Sequence, residues 1–152
     1  MHDQGRQRVL AAASSGGHWV QLCRLRPAFD GHDVAYLTTD PGHRREVAPA
    51  RLYTVRDANR SSKLALVRSA LQVLRVLVRE RPTVVVSTGA APGYLAIRLG
   101  KLLGARTIWI DSVANVDELS LSGRMASERA DLCLTQWPHL AGGSVTYLGT
   151  VL

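Results

Sequence analysis

Residues 8–18 read RVLAAASSGGH, a short apolar run that leads into two serines, two glycines and a histidine. We predict a buried β-strand at Arg8–Ala13, because an apolar run of this length is typical of a strand covered on both faces. The glycines allow a tight turn, and a helical pattern at His18–Phe29 follows them. A strand, a glycine-bearing turn and a helix in this order are typical of the start of an α/β fold.

Apolar runs and helical patterns keep alternating along the rest of the chain. The alternation predicts a doubly wound, mainly parallel, Rossmann-like sheet, and the length of 152 residues predicts a single domain over residues 1–152. The further predicted strands are Asp33–Thr39, Leu52–Arg56, Thr83–Thr88, Thr107–Ile110, Leu132–Gln136 and Val145–Leu148. The further predicted helices are Ser62–Arg81, Tyr94–Leu103 and Ser120–Arg129, with turns at Asp40–Arg45 and Gly89–Gly93.

The composition indicates which partners and which cellular compartment to expect. Nineteen Lys and Arg residues against twelve Asp and Glu residues give a formal charge of +7, which favours phosphate-bearing partners or a plain solvated basic surface. No apolar stretch approaches the ~20 residues that span a bilayer, and the first residues do not resemble a signal peptide. We therefore expect a cytoplasmic protein, soluble or peripheral, with Cys23 and Cys133 as free thiols. The histidines show no metal-ligand spacing, so we expect no metal and no cofactor.

Ligands of doubly wound sheets bind beyond the carboxyl ends of the strands. The first loop at that edge holds Ser14, Ser15, Gly16 and Gly17, whose backbone amides at a helix N-terminus favour an anion. His18 can accept a proton from an attacking hydroxyl near neutral pH. A tight turn with a capping histidine is the simpler alternative. The loop is not a GxGxxG fingerprint, so NAD binding is weakly supported.

Two further loops reach the same edge. Thr88, Gly89 and Gly93 belong to a second glycine-bearing loop, whose small side chains leave room for a bulky ligand. Asp111 follows a central apolar strand, where it can orient a histidine, act as a base or hold sugar hydroxyls, and Asn115 lies in the same loop. An ordinary turn and a capping aspartate are the alternatives.

The longest predicted helix carries a basic stripe beside a broad apolar arc. The stripe consists of Arg68, Gln72, Arg75 and Arg79. This pattern suits the interface of an anionic membrane, although a buried helix with an exposed stripe gives the same pattern. Trp137 follows a strand, and it either stacks on a sugar, anchors an interface or is buried.

Three segments together resemble a known family. They read SSGGHWVQL, then VVSTGAAPGYLAIRLGKLLGARTIWIDS, then LSLSGRMASERADLCLTQWPHL. They are similar to the acceptor-side subunits of split UDP-sugar glycosyltransferases of the PssD type, and to the membrane-anchor subunit of the eukaryotic dolichol-linked N-acetylglucosaminyltransferase. A fainter similarity extends to the N-terminal domain of MurG. The resemblance covers most of the chain, from about Val9 to Leu148.

The resemblance implies one half of a GT-B glycosyltransferase, a hexosyltransferase that is active only with a donor-binding, PssE-like partner subunit. That partner would bind the UDP-sugar, while this chain would bind a polyprenyl-pyrophosphate-linked saccharide at the inner face of the cell membrane, in exopolysaccharide biosynthesis. We expect no nucleic-acid partner, because no basic groove with stacking aromatic residues is evident.

The resemblance also assigns residues. It implies catalytic roles for His18 and Asp111, although the family usually has glutamate at the latter position. Acceptor binding falls to Ser14, Ser15, Gly16, Gly17, Thr88, Gly89, Gly93 and Asn115. The helix pattern predicts membrane or partner contact at Arg68, Arg75 and Arg79, and the place of Trp137 after a strand predicts it there. The resemblance adds Tyr147, which lies in the segment that matches the end of the family. The eukaryotic subunit begins with a membrane-spanning helix that this chain lacks, so we expect peripheral attachment. The alternative function is a non-catalytic membrane adaptor that recruits a catalytic subunit.

Overall fold

A computed structural model describes residues 5–58 and 62–151, which form a seven-stranded sheet in the order β3-β2-β1-β4-β5-β6-β7. Every pair of neighbouring strands is parallel, so the predicted Rossmann-like α/β fold is confirmed. The strands are β1 (Arg8–Ala13), β2 (Asp33–Thr38), β3 (Arg51–Thr54), β4 (Val84–Gly89), β5 (Arg106–Ile110), β6 (Leu132–Thr135) and β7 (Val145–Tyr147). The strand order reverses between β1 and β4, which is where such sheets bind ligands.

Five α-helices lie against this sheet among the described residues. They are α1 (Gly17–Arg24), α2 (Arg44–Val47), α3 (Lys63–Glu80), α4 (Ala90–Leu102) and α5 (Leu121–Ser127). The core residues of α3, α4 and α5 pack on one face of the sheet, which we call the first face. Those of α1, α2 and the short 3-10 helix Arg26–Phe29 pack on the other, the second face.

Three sequence predictions were wrong in detail, each for a local reason. The predicted helix His18–Phe29 ends as an α-helix at Arg24, and a 3-10 turn with Pro27 near its start completes it, because proline has no N–H to continue the α-helical ladder. The predicted turn Asp40–Arg45 is a 3-10 helix at Pro41–His43 that runs into α2.

The third correction concerns the predicted loop Gly89–Gly93, which is absent. Strand β4 runs through Gly89, and α4 starts at the next residue. The chain turns within two residues because Gly89 has φ 148° and Ala90 has φ 63°. A glycine adopts the first of these values without the steric cost that a Cβ adds.

Helix α3 begins and ends within one residue of its predicted bounds. The Ser62 hydroxyl caps it by accepting a hydrogen bond from the Ala65 amide at 3.2 Å, and Arg81, in a left-handed conformation, ends it before Pro82. Its inner side buries Ser69, Val73, Val76 and Leu77.

The outer side of α3 is also apolar. Four side chains on it are more than half exposed: Leu64 at 62%, Val67 at 54%, Leu71 at 61% and Val78 at 55%. We call these four residues the outer stripe. The exposed side chains of Arg68, Arg75 and Arg79 run beside it on the same helix. No helix in the described part of the chain is both long enough and apolar enough to cross a membrane.

Candidate functional site

The carboxyl ends of β1 and β4 bring His18 and Thr88 together. The Nδ1 atom of His18 lies 3.1 Å from the Thr88 carbonyl oxygen, and the Thr88 hydroxyl donates to the His18 carbonyl at 2.7 Å. A carbonyl oxygen only accepts hydrogen bonds, so Nδ1 must carry the proton. When the ring is neutral its lone pair is therefore on Nε2, and Nε2 has no hydrogen-bond partner in residues 5–58 and 62–151.

The ring of His18 lies directly on the backbone of Gly89. A Cβ atom built on Gly89 would be 2.2 Å from His18 Nδ1 and 2.5 Å from Cε1. No side chain fits between the end of β4 and the imidazole of His18. The imidazole can therefore pack on the backbone at position 89 only because that residue is a glycine.

The N-terminus of α1 is open beside His18. Its capping residue Gly16 has φ 79°, and no side chain caps the helix. Gly16 and Gly17 are both exposed, so the first amides of α1 are available to an anion at the positive end of the helix dipole. Ser15 steadies the loop, since its amide donates to the Thr39 hydroxyl at 3.2 Å.

The structure divides the predicted acceptor-binding residues into two groups. Ser15, Gly16 and Gly17 are exposed at the edge, four others are buried, and Asn115 is half-buried between the two groups. Thr88 is fully buried, and its contacts hold His18. A Cβ on Gly93 would lie 2.1 Å from the Ser87 hydroxyl, so this glycine lets α4 pack closely on β4. The buried group consists of Ser14, Thr88, Gly89 and Gly93.

Asp111 is buried at 2% exposure and organises the loop that follows β5. Its Oδ1 accepts from Trp109 Nε1 at 3.1 Å and from the Ser120 hydroxyl at 2.7 Å. Its Oδ2 accepts from Asn115 Nδ2 and from the Ser120 amide, both at 3.0 Å. His18 is not among its hydrogen-bond partners. The geometry makes Asp111 the centre of the loop, with Asn115 as one of its donors.

Replacing Asp111 should therefore destabilise the fold. Asp111→Ala leaves several buried donors without an acceptor, and we expect the free energy of unfolding to fall by about 3 kcal/mol. Urea denaturation measures this, with the exposed Asp117→Ala as the matched control. Equal midpoints for the two variants would show that the buried hydrogen bonds contribute nothing.

Sequence reasoning missed a chain of buried amides beneath the edge. Gln21 on α1 donates to the Ser112 hydroxyl at 3.0 Å and accepts from Gln136 Nε2 at 2.8 Å. The same Nε2 lies 3.0 Å from the Asp111 carbonyl, and Gln136 Oε1 accepts from the Val151 amide at 2.9 Å. The partners come from four separate segments, so no spacing in the sequence points to them.

A second missed cluster supports α1 from below. Trp19 is buried, donates its indole N–H to Glu46 at 2.9 Å and stacks on the His43 ring with centroids 4.5 Å apart. Hydrogen bonds from His43 and then from Trp19 lower the pKa of the Glu46 carboxyl. Because Trp19 follows His18 in the first turn of α1, this cluster fixes the position of the histidine.

Trp137 and Tyr147, the remaining residues predicted to contact a membrane or a partner, lie after β6 and on β7, at one side of the sheet. Trp137 is half-buried, and its indole N–H donates to the Val113 carbonyl at 2.8 Å, so it supports the loop after β5. Tyr147 on β7 is exposed at 38%. In the described residues, no group of three His, Cys, Asp or Glu side chains is placed to hold a metal ion.

Comparisons of the sequence agree on one family. The family model described as "Oligosaccharide biosynthesis protein Alg14 like" matches residues 44–151. The UDP-N-acetylglucosamine transferase subunit ALG14 of Eremothecium gossypii is 28% identical over 89% of this chain and 75% of its own length. The subunit of the same name from Yarrowia lipolytica is 31% identical over 53% of this chain and 40% of its own length.

Comparisons of the structure identify the fold. MurG of Acinetobacter baumannii superposes with a TM-score of 0.76 at 15% identity, covering 93% of this chain and 45% of MurG. The UDP-N-acetylglucosamine 2-epimerase of Rickettsia bellii gives 0.72 at 14% identity, covering 97% of this chain and 46% of the epimerase. The chain thus spans just under half the length of these enzymes. The predicted Rossmann-like architecture, of the kind found in GT-B enzymes, is confirmed.

Proposed function

The chain belongs to the Alg14-like family of oligosaccharide biosynthesis proteins, and from this premise we propose that it is the acceptor-binding, membrane-associating subunit of a two-component UDP-sugar glycosyltransferase. The partner subunit binds the UDP-sugar. The acceptor is a polyprenyl-pyrophosphate-linked saccharide in polysaccharide biosynthesis, at the cytoplasmic face of the cell membrane. The observation that carries the proposal is the fixed imidazole of His18, with a basic Nε2 beside an open helix N-terminus.

The proposed reaction is an inverting sugar transfer. The acceptor hydroxyl attacks the anomeric carbon of the UDP-sugar, and the proton of that hydroxyl passes to His18 Nε2. The bond between the anomeric carbon and the phosphate oxygen breaks, and UDP leaves with its electron pair. The Thr88 carbonyl oxygen lies 3.1 Å from Nδ1 and accepts the hydrogen bond from its N–H, which leaves the lone pair of Nε2 to take the proton of the acceptor.

The first amides of α1 have a separate task in this proposal. The acceptor pyrophosphate lies against Gly16 and Gly17, where N–H groups and the helix dipole attract negative charge. Asp111 acts as a positioning residue, because its hydrogen bonds shape the loop that follows β5.

The test of the proposed function is isolation and reconstitution. We expect a pull-down of the full chain from native cells to yield a stoichiometric partner that binds UDP-sugars. The purified pair should transfer N-acetylglucosamine from its UDP ester to a short polyprenyl-pyrophosphate saccharide, and either subunit alone should not. Transfer by this chain alone would contradict the two-component proposal.

We infer that α3 is the membrane contact. The outer stripe faces away from the core, and the guanidinium groups of Arg68, Arg75 and Arg79 lie beside it. An apolar face flanked by basic side chains inserts at the interface of anionic bilayers. This observation also fits the alternative function, a non-catalytic adaptor, which differs in requiring no chemistry from His18.

The membrane contact predicts a specific loss of vesicle binding. Each basic residue near an anionic surface contributes about 1 kcal/mol, so changing all three arginines to alanine should weaken binding to phosphatidylglycerol vesicles roughly 100-fold. Co-sedimentation with vesicles measures this. The control removes the same charge elsewhere, at Arg45, Arg106 and Arg129. An equal loss in both triple variants would show that net charge alone drives binding.

A further inference from the structure

A hollow lies at the edge of the sheet where the strands begin, opposite the edge that holds His18. Its volume is about 420 Å³, and it lies between the carboxyl ends of α3 and α4. The buried side chains of Leu77 and Ala105 lie at its base. Val78 and Leu103 line its rim and are 55% and 54% exposed. The hollow is therefore apolar both at its base and where it opens to the surface.

The charged side chains that line the hollow are all cationic. Arg8 begins β1, and its Nε donates to the Arg81 carbonyl at 2.8 Å. The terminal nitrogens of Arg8 and the whole guanidinium group of Arg81 have no hydrogen-bond partner in residues 5–58 and 62–151. Among the described residues, no Asp or Glu lines the hollow. The carboxylate of Glu80, next to Arg81, is bound on both oxygens by Arg51 at 2.9 Å.

The two helices that end at the hollow do not need these arginines as caps. At the end of α3, the Arg81 amide donates to the Leu77 carbonyl at 2.8 Å. At the end of α4, carbonyls of the last turn accept from the amides of Leu103, Gly104 and Ala105. Each helix end carries roughly half a negative charge, so the two ends offset about one of the two positive charges. The hollow therefore keeps a net positive charge.

We propose that this hollow binds the phosphate headgroup of one anionic phospholipid, an inference that rests on the proposed membrane contact of α3. Guanidinium groups suit a phosphate, since each can form two parallel hydrogen bonds to its oxygens. A free phosphate would leave the rim exposed, whereas the acyl chains of a lipid cover Val78 and Leu103. Val78 also belongs to the outer stripe, so the hollow continues the apolar surface of α3 to the end of that helix.

Such a site adds something that the outer stripe cannot supply. Contact through the outer stripe alone lets the chain rotate about the long axis of α3. A lipid bound between α3 and α4 adds a contact away from that axis. The bound lipid therefore fixes the orientation of the His18 site relative to the bilayer.

A short-chain lipid below its critical micelle concentration tests the site without a bilayer. We expect dihexanoylphosphatidylglycerol to bind the full chain in a calorimetric titration, with one lipid per chain. Glycerol phosphate has a phosphate but no acyl chain, so it should bind at least about 10-fold more weakly. Equal affinities for the two compounds would indicate a site for free phosphate and would overturn the proposal, and so would the absence of lipid binding.

A double substitution tests the arginines. Arg8→Gln/Arg81→Gln keeps polar side chains but removes two positive charges, and it should weaken binding of the short-chain lipid about 30-fold. Arg106→Gln/Arg129→Gln is the matched control, because it lowers the net charge equally at exposed residues that do not line the hollow. An equal loss in both double variants would show that net charge alone attracts the lipid. Circular dichroism shows whether each variant is folded.

Two neighbouring leucines test the apolar rim and cover the case in which the arginine variant does not fold. Leu103→Ser should weaken binding of the short-chain lipid about 5-fold and leave that of glycerol phosphate unchanged. Leu102→Ser is the control, because Leu102 is 70% exposed and does not line the hollow. Lipid affinity that stays the same in Leu103→Ser would overturn the proposal.

The lipid site and the proposed function can fail separately. Sugar transfer by a reconstituted pair whose chain binds no short-chain lipid would refute the lipid site alone. Lipid binding that depends on Arg8 and Arg81, in a chain that supports no sugar transfer with its partner, would refute the proposed function alone.

Discussion

Replacing His18 with alanine is expected to lower the turnover of the reconstituted pair about 1,000-fold, within the range that a general base contributes. The loss should fall on kcat, because Nε2 takes the proton only in the transition state. His18→Gln is the matched variant: its side chain is polar and of similar reach, yet it cannot accept the proton, so its turnover should be equally low.

This experiment separates the enzyme from the adaptor. Both variants must still bind the partner, which titration of the purified subunits shows, and must keep the melting temperature of the native chain. Undiminished turnover in a correctly assembled His18→Ala complex would remove the base assignment and favour the adaptor function.

The second large effect, on both stability and turnover, is expected from adding one methyl group at Gly89. Gly89→Ala places a Cβ 2.2 Å from the His18 ring, at a residue with φ 148°. Both the contact and the backbone angle are unfavourable, so we expect the free energy of unfolding to fall by about 2–3 kcal/mol. Because the ring must move, turnover should fall by at least about 100-fold as well.

Gly17→Ala is the stability control for this experiment. A Cβ at Gly17 meets nothing within 4 Å, so the midpoint of urea denaturation should barely change. The double variant His18→Ala/Gly89→Ala adds a sharper comparison, since without the ring the three atoms nearest to the new methyl group are gone. The two changes should therefore be non-additive in stability. Strict additivity would show that the cost of Gly89→Ala lies in the backbone alone.

Most of the fold could be predicted from the sequence because the strands are short apolar runs in a regular alternation. The bounds of α3 were predicted within one residue, because Ser62 and Pro82 are clear signals at its two ends. The errors arose where one residue interrupts a pattern. Pro27 ends the α-helical ladder of α1, and the unusual angles of Gly89 and Ala90 remove a predicted loop.

The site was predictable only in part. The glycines and His18 follow a strand directly, so their place at the carboxyl edge comes from local sequence. The partners of Asp111 could not be found in this way, since its carboxylate is saturated by Trp109, Asn115 and Ser120 rather than turned toward His18. A side chain's hydrogen-bond partners depend on how the loop folds back, and residue spacing does not encode that.

The buried amide of Gln136 connects the end of the described chain to the helix of His18. It holds Val151 on one side and Gln21 of α1 on the other, at 2.9 Å and 2.8 Å. Pulling the chain end away would leave a buried carbonyl oxygen without a donor, which is costly for the whole cluster. The positions of the C-terminal segment and of α1 are thus thermodynamically linked, and such linkage is reciprocal. A ligand that stabilises α1 in its present position also secures the tail. Under the proposed function, a partner subunit that binds the tail in this conformation therefore tightens the proposed acceptor site by the same factor.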